Sequence, residues 1–214
     1  MKDTYKAKGL RKKLAKSLSK KGIEDFRVLQ AFENVPRHFF FDSAFLEQAY
    51  EDKAFPIGEG QTISQPYTVA YQTELLKVRE GDKVLELGTG SGYQASILLE
   101  MGAEVHSIER IRSLHERAKL VLKEMGYRPK LYFGDGTRGL PEHAPFDKIL
   151  STAAAPHVPE HLIEQLRMGG ILVVPVGSRE LQTMYRITRT GDHDFRTEAM
   201  DDFRFVPLIG EKGW

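Results

Sequence analysis

Val84-Leu85-Glu86-Leu87-Gly88-Thr89-Gly90-Ser91-Gly92-Tyr93 leaves a short apolar run, crosses three spaced glycines and enters a helical periodicity. Glycine permits the positive φ of a tight turn and lets a ligand approach the backbone. Outward from this turn, apolar runs predict strands at 84–87, 103–108, 130–133, 148–151 and 171–176. Helices fit between them at 93–101, 111–125 and 159–166, with Gly102, Gly126 and Gly169-Gly170 at or just past their ends. Alternation of this length implies right-handed βαβ units and a doubly wound, mostly parallel α/β sheet. Residues 183–190 and 195–206 read as two further β segments joined through Gly191-Asp192-His193-Asp194, an antiparallel pair at the sheet edge.

Ahead of this core, Val28, Leu29, Phe32 and Val35 recur at helical spacing over 24–35, and Pro36 stops the helix. An apolar cluster follows at Phe39, Phe40, Phe41 and Phe45. Residues 55–64 are rich in turn formers and are expected to form a capping loop. Ser64-Gln65-Pro66 then resembles a helix start, with Ser64 as its N-cap, leading into 69–76. The chain is expected to divide into a helical cap with a ligand-facing loop over 1–79 and an α/β core with C-terminal strands over 80–214.

The 214 residues are 41% hydrophobic and 29% charged, enough apolar material for a core. The absence of cysteine excludes disulfides, thiolate metal sites and cysteine nucleophiles. No apolar run long enough to cross a membrane and no secretory signal are found, so a cytoplasmic address without membrane partners is expected. Residues 1–21 carry 9 of the 31 Lys/Arg and 1 of the 30 acids, leaving an acidic body of 22 against 29. Leu10, Leu14 and Leu18 give that basic segment an apolar stripe, which favours a docked helix with a solvated charged face over a nucleic-acid contact.

The glycines at 88, 90 and 92 do not match the G-x-G-x-x-G of dinucleotide sites, whose third glycine would fall at Tyr93. A carboxylate, Glu86, stands two residues before the first. That charge disfavours a phosphate and suits a cationic ligand, such as the sulfonium and ammonium of S-adenosylmethionine. Glu109 ends the next strand, where βαβ folds hydrogen-bond a ribose diol, and Asp135 follows the strand at 130–133, where it could take an adenine amino group. All three acids fall at carboxyl ends of consecutive strands, the edge where open α/β sheets bind ligands.

Other chemistries fit less well. There is no G-x-S-x-G elbow for a hydrolase, and Ser91 lies inside the glycine loop. The seven histidines, His115, His157 and His161 among them, show no metal-ligand spacing, so no metal is expected.

The residues resemble known families. Glu86 to Gly92 resembles the first motif of class I S-adenosylmethionine-dependent methyltransferases, which implies that Rossmann-like fold and cofactor for roughly residues 80–180. A closer resemblance, to the protein-L-isoaspartate O-methyltransferases, begins at Gly60-Gln61-Thr62-Ile63-Ser64-Gln65-Pro66-Tyr67. It continues through Ser107-Ile108-Glu109-Arg110, Gly134-Asp135-Gly136, Ala144-Pro145-Phe146-Asp147 and Thr152-Ala153-Ala154-Ala155-Pro156. Gly169 to Gly177 and Phe205-Val206-Pro207-Leu208 complete it, over about residues 20–208.

That resemblance implies methylation of the α-carboxylate of L-isoaspartyl residues in damaged proteins and peptides, which initiates their repair. It implies Ser64 as the active-site residue, and Glu86, Gly88, Thr89, Gly90, Ser91, Gly92, Glu109, Arg110, Asp135 and Gly136 around the cofactor. Thr62, Ile63, Tyr67, Val206, Pro207 and Leu208 would contact the substrate. The segment before residue 20 and the tail 209–214 lie outside the stretch that carries it.

A nucleic-acid methyltransferase on the same fold is the rival. Cytosine C5 chemistry needs a cysteine nucleophile, and adenine amino-group methylation is associated with an Asn/Asp-Pro-Pro-aromatic motif where this chain has Ser151-Thr152-Ala153-Ala154-Ala155-Pro156. The acidic body also disfavours nucleic acid as a partner. A binding module without catalysis is opposed by the intact Gln61-Thr62-Ile63-Ser64. A monomer is expected.

Overall fold

The computed structural model describes residues 2–41 and 48–214; Phe45 of the expected apolar cluster lies outside them. Thr4 opens helix α1 (Tyr5–Lys20) by accepting the Ala7 amide at 3.2 Å. Leu14, Ala15 and Leu18 are buried and Leu10 is half-buried, so the stripe docks and the lysines face outward. Asp25 caps α2 (Phe26–Asn34), whose Val28, Ala31 and Phe32 are buried in the same apolar cluster. Val35 turns to extended backbone before Pro36, and a single 3-10 turn follows over Arg37–Phe40.

The loop expected over 55–64 is a small hairpin, β1 (Phe55–Gly58) and β2 (Gln61–Ile63). Glu59 and Gly60 turn it at φ 54° and 67°, and its inward residues, Ile57 and Ile63, are buried. Helix α3 (Pro66–Leu76) starts with proline in its first turn, as expected, but Gln65 occupies the N-cap and no side chain makes a capping bond. Ser64 is therefore not the cap.

The core is β3 (Lys83–Leu87), α4 (Tyr93–Glu100), β4 (Glu104–Glu109), α5 (Arg112–Glu124), β5 (Lys130–Phe133), β6 (Phe146–Ser151), α6 (Glu160–Ile163), β7 (Leu166–Gly177), β8 (Gln182–Arg189) and β9 (Phe195–Phe203). The sheet order is β5-β4-β3-β6-β7-β8-β9. β5 to β7 run parallel, and β8 is antiparallel to both of its neighbours. One face packs Leu85, Leu87, Ile149 and Leu172 with α6, and the other packs Val84, Val105, Leu150 and Val173 with α3 and α4.

Two expected elements end early. The helix over 159–166 is one turn long, because the backbone is recruited by the sheet: Phe146 donates to the Gln165 carbonyl at 2.8 Å and Leu166 pairs with Phe146. Gly169-Gly170 accordingly lie inside β7. β9 stops at Phe203, and the chain beyond it crosses to Ala154, whose amide donates to the Val206 carbonyl at 2.8 Å.

The order reverses between β3 and β6. Such a reversal opens a crevice at the strands' carboxyl ends. Thr152 spans it, donating its hydroxyl to the Leu87 and Gly88 carbonyls at 3.0 and 2.7 Å.

Candidate active site

A cleft lies over that crevice. Its floor is the glycine loop. Gly88, Gly90 and Gly92 have φ of 93°, 54° and 89°, values that L side chains rarely adopt. A Cβ on Gly88 would also sit 2.6 Å from the Thr152 hydroxyl. Gly88, Thr89, Gly90 and Ser91 line the cleft, whereas Gly92 is covered by Leu122.

Glu86 does not line the cleft; it is sealed beneath the loop with no solvent exposure. Ser107 donates to its Oε2, and Thr89 Oγ1 lies 2.6 Å from the Ser107 hydroxyl, so Glu86 reaches the cleft through two hydroxyls. Its Oε1 is buried without a partner among the described residues. Burial pushes the carboxyl up to about 8, with Ser107 opposing and the Glu109 charge reinforcing. An unsatisfied acceptor beneath a glycine cradle suits a cation above it.

Glu109 closes the opposite side. Its Oε2 accepts the Gly90 amide and its Oε1 the Ile111 amide, each at 2.9 Å. Arg110 and Gly136 also line the cleft. Asp135 does not. Its Oδ1 accepts the Thr137 amide at 2.9 Å and hydroxyl at 2.7 Å, and its Oδ2 accepts the Glu211 amide at 2.8 Å. Burial raises its pKa, but the Glu211 and Thr137 donors outweigh it and the net direction is down. Asp135 is thus the anchor of the C-terminal tail.

That tail is a built turn. A Cβ on Gly213 would overlap the Leu208 carbonyl, and Lys212 donates its amide to Thr137 Oγ1 at 3.0 Å. The Trp214 indole donates to the Ala154 carbonyl at 3.1 Å, and Arg179 stacks 5.1 Å from the indole ring. Leu208 and Ile209 face the cleft as a result.

A second cleft of about 990 Å³, including its mouth, adjoins the first. Gln65 and Thr68 form one side, and Leu181, Asp202, Phe203 and Phe205 the other. Thr62, Ser64, Thr152 and Val206 line both clefts. Ser64 is half-buried at this junction; its carbonyl accepts from Arg37 at 2.9 Å, and its hydroxyl makes no hydrogen bond among the described residues. Ile63, Pro207 and Leu208 line the first cleft only, and Tyr67 lines neither. The Tyr67 ring instead stacks 6.5 Å from that of Phe203, beside the second cleft. No histidine lines either cleft, and no cluster of three potential metal ligands occurs among the described residues.

Val69, Gln94, Ile111 and Ile209, which no motif marks, also line the first cleft. Gln94 carried a usable signal, as the second residue of the helix that leaves the glycine loop. Its amide nitrogen donates to Thr73 at 3.0 Å, and its Oε1 is buried without a partner among the described residues.

Residues 9–213 match the family Protein-L-isoaspartate(D-aspartate) O-methyltransferase. The matched span takes in most of the basic N-terminal segment and nearly all of the tail. A protein-L-isoaspartate O-methyltransferase of Cytophaga hutchinsonii is 58% identical over 214 residues, covering 100% of this chain and 97% of the relative. One of Christiangramia forsetii is 55% identical, covering 99% and 100%. Among solved structures, a protein-L-isoaspartate O-methyltransferase superposes with TM-score 0.86 at 32% identity, covering 95% of this chain and 67% of that one. A Plasmodium falciparum protein assigned to the same activity, solved with S-adenosyl-L-homocysteine, gives 0.82 at 25% identity, covering 93% and 98%.

Proposed function

The chain belongs to the protein-L-isoaspartate O-methyltransferase family, and we infer that it transfers a methyl group from S-adenosylmethionine to the α-carboxylate of L-isoaspartyl residues in damaged proteins and peptides. The observation that carries the reading is the placement of Ser64 on the wall shared by the two clefts. One cleft has the glycine cradle for the cofactor, and the other adjoins it across Ser64, where a peptide would lie.

When bound, S-adenosylmethionine supplies an electrophilic methyl group on a sulfonium. Gly88, Thr89, Gly90 and Ser91 would lie beneath the cofactor, and Glu109 and Arg110 beside it. Glu86 would order the floor beneath it through Ser107 and Thr89. Gly136, with Leu208 and Ile209, would wall the far end, held there by Asp135 acting on the tail. Gly92 shapes the loop without touching the ligand.

The substrate carboxylate needs no base, because a group with a reference pKa near roughly 3.5–4 is ionised at neutral pH. The absence of histidine from the clefts agrees with this. The protein's work is to align the carboxylate oxygen and to strip water from it, contributions that reach several kcal/mol. Ser64 donates a hydrogen bond that orients the carboxylate and is not a nucleophile. Thr62 and Val206 flank it on the wall shared by the two clefts, and Ile63 and Pro207 flank it on the cofactor side. Tyr67 acts at the rim, through its stack with Phe203.

The reading extends to a monomer acting on isoaspartyl proteins and peptides in the cytoplasm, without nucleic acid or membrane. The acidic body supports the former exclusion. No helix among the described residues is long and apolar enough to cross a membrane. Residues 1–79 supply the cap and substrate hairpin, and 80–214 the cofactor core. Transfer of labelled methyl to a pair of peptides differing only in L-isoaspartyl for L-aspartyl tests the function. Base-labile label on the isoaspartyl peptide alone is expected, and label on neither peptide would refute it.

A further inference from the structure

Arg37 lies outside both clefts and outside every motif that carried the functional reading, yet its side chain is completely buried. It follows Pro36 in the 3-10 turn between the helical cap and the hairpin. Its Nε donates to the Ala49 carbonyl at 3.0 Å and its Nη2 to the Ser64 carbonyl at 2.9 Å. The guanidinium carbon sits 4.6 Å from the centre of the Tyr93 ring and 5.3 Å from that of Phe41. Among the described residues Nη1 and the fully buried Tyr93 hydroxyl make no hydrogen bond of ordinary length, although the guanidinium and the phenol attract each other. Burial lowers the guanidinium pKa to about 10, which leaves it charged at neutral pH.

A buried charge is expensive, and an apolar side chain of similar volume would fill the same space without that cost. What an apolar side chain could not supply is direction. The planar guanidinium fixes two carbonyls from separate segments while its central carbon sits over the Tyr93 ring. Tyr93 is the first residue of α4, directly after the glycine loop, and it lines the first cleft. Arg37 therefore spans the short path between the glycine loop and the backbone of the residue at which the clefts meet.

We propose that Arg37 is a positioning residue that holds the Ser64 peptide in register with the glycine loop, so that the Ser64 hydroxyl meets the substrate carboxylate in line with the methyl donor. The inference rests on the reading of Ser64 given above. Misplacement of a reacting group by about 1 Å costs on the order of 100-fold in rate, so a tie of this kind acts on turnover more than on binding.

Arg37→Lys keeps a positive charge but not the planar fork. The test is a double-mutant cycle of Arg37→Lys with Ser64→Ala, read as kcat on an isoaspartyl peptide, with the dissociation constant of S-adenosylhomocysteine and the unfolding midpoint measured on each variant. Arg37→Lys alone should lower kcat about 10- to 100-fold, with the dissociation constant within about twofold. On the Ser64→Ala background the same substitution should cost less than about threefold, because no hydroxyl remains to be placed. Effects that multiply would overturn the inference while leaving Ser64 in its role. An unchanged kcat for Ser64→Ala alone would instead refute the reading of Ser64 and this inference with it. If Arg37→Lys does not fold, Arg37→Gln takes its place in the cycle. Failure of both to fold would assign Arg37 to stability alone and reject the proposal.

Discussion

The Gly90 amide donates a 2.9 Å hydrogen bond to the Glu109 carboxylate, so the acid that ends β4 braces the glycine loop as well as walling the cleft. The other carboxylate oxygen holds the Ile111 amide. Glutamine offers one acceptor oxygen and would turn its NH₂ toward the second backbone donor. Glu109→Gln should weaken S-adenosylhomocysteine binding about 10- to 150-fold, in line with roughly 1.5–3 kcal/mol for hydrogen bonds to a charged group. Titration calorimetry measures it, and an affinity within twofold of wild type would show that Glu109 does neither job.

Glu86 makes stability depend on pH. Its carboxyl lies near 8 in the folded protein, above the ordinary carboxylate range. A raised folded-state pKa means that its contribution is fully present below the unfolded pKa and is lost as pH rises through the folded one. Between about pH 5 and 8 the wild type should lose stability relative to Glu86→Gln, by on the order of 1–4 kcal/mol. Denaturant unfolding at several pH values tests this; parallel pH profiles would contradict it.

The single tryptophan, Trp214, reports on the tail. Gly213→Ala places a methyl group against the Leu208 backbone carbonyl, a collision that no rotamer relieves. The turn should open, at about 1–3 kcal/mol by analogy with overpacked sites. A red-shifted, readily quenched tryptophan emission and weaker cofactor binding should follow, since Leu208 and Ile209 wall the cleft. Emission and affinity like those of the wild type would remove the tail from the site.

Leu18 is wholly buried where α1 meets the rest of the cap. Leu18→Ala should cost about 2–5 kcal/mol, and the amides around Leu14 and Leu18 should exchange slowly in the wild type. Rapid exchange there would mean that the stripe does not dock.

The α/β core was legible because short apolar runs such as 84–87 and 148–151 alternate with helical spacing such as that over 111–125, and the alternation identifies both. The β1–β2 hairpin was not, since strands of four and three residues give too little alternation to outweigh the turn formers between them. The short α6 reflects tertiary override, because the amide of Phe146 claims the Gln165 carbonyl and pulls the chain into β7. Within the site, the glycines and the acids at the strand ends were visible as side-chain patterns. The roles of Arg37 and Trp214 were hidden, because their partners are backbone carbonyls of Ser64, Ala49 and Ala154. Asp135 was legible as a strand-end acid, but nothing local showed that it would also take the Glu211 amide.

The most direct test of the account is the turnover of Ser64→Ala on an isoaspartyl peptide at saturating S-adenosylmethionine. Because Ser64 caps no helix, the substitution should leave stability within about 0.5 kcal/mol of wild type. Loss of one hydrogen bond to a carboxylate, about 1.5–3 kcal/mol, predicts kcat lower by roughly 10- to 150-fold, with cofactor affinity unchanged. Turnover equal to that of the wild type would contradict the assignment of the carboxylate to the junction of the two clefts.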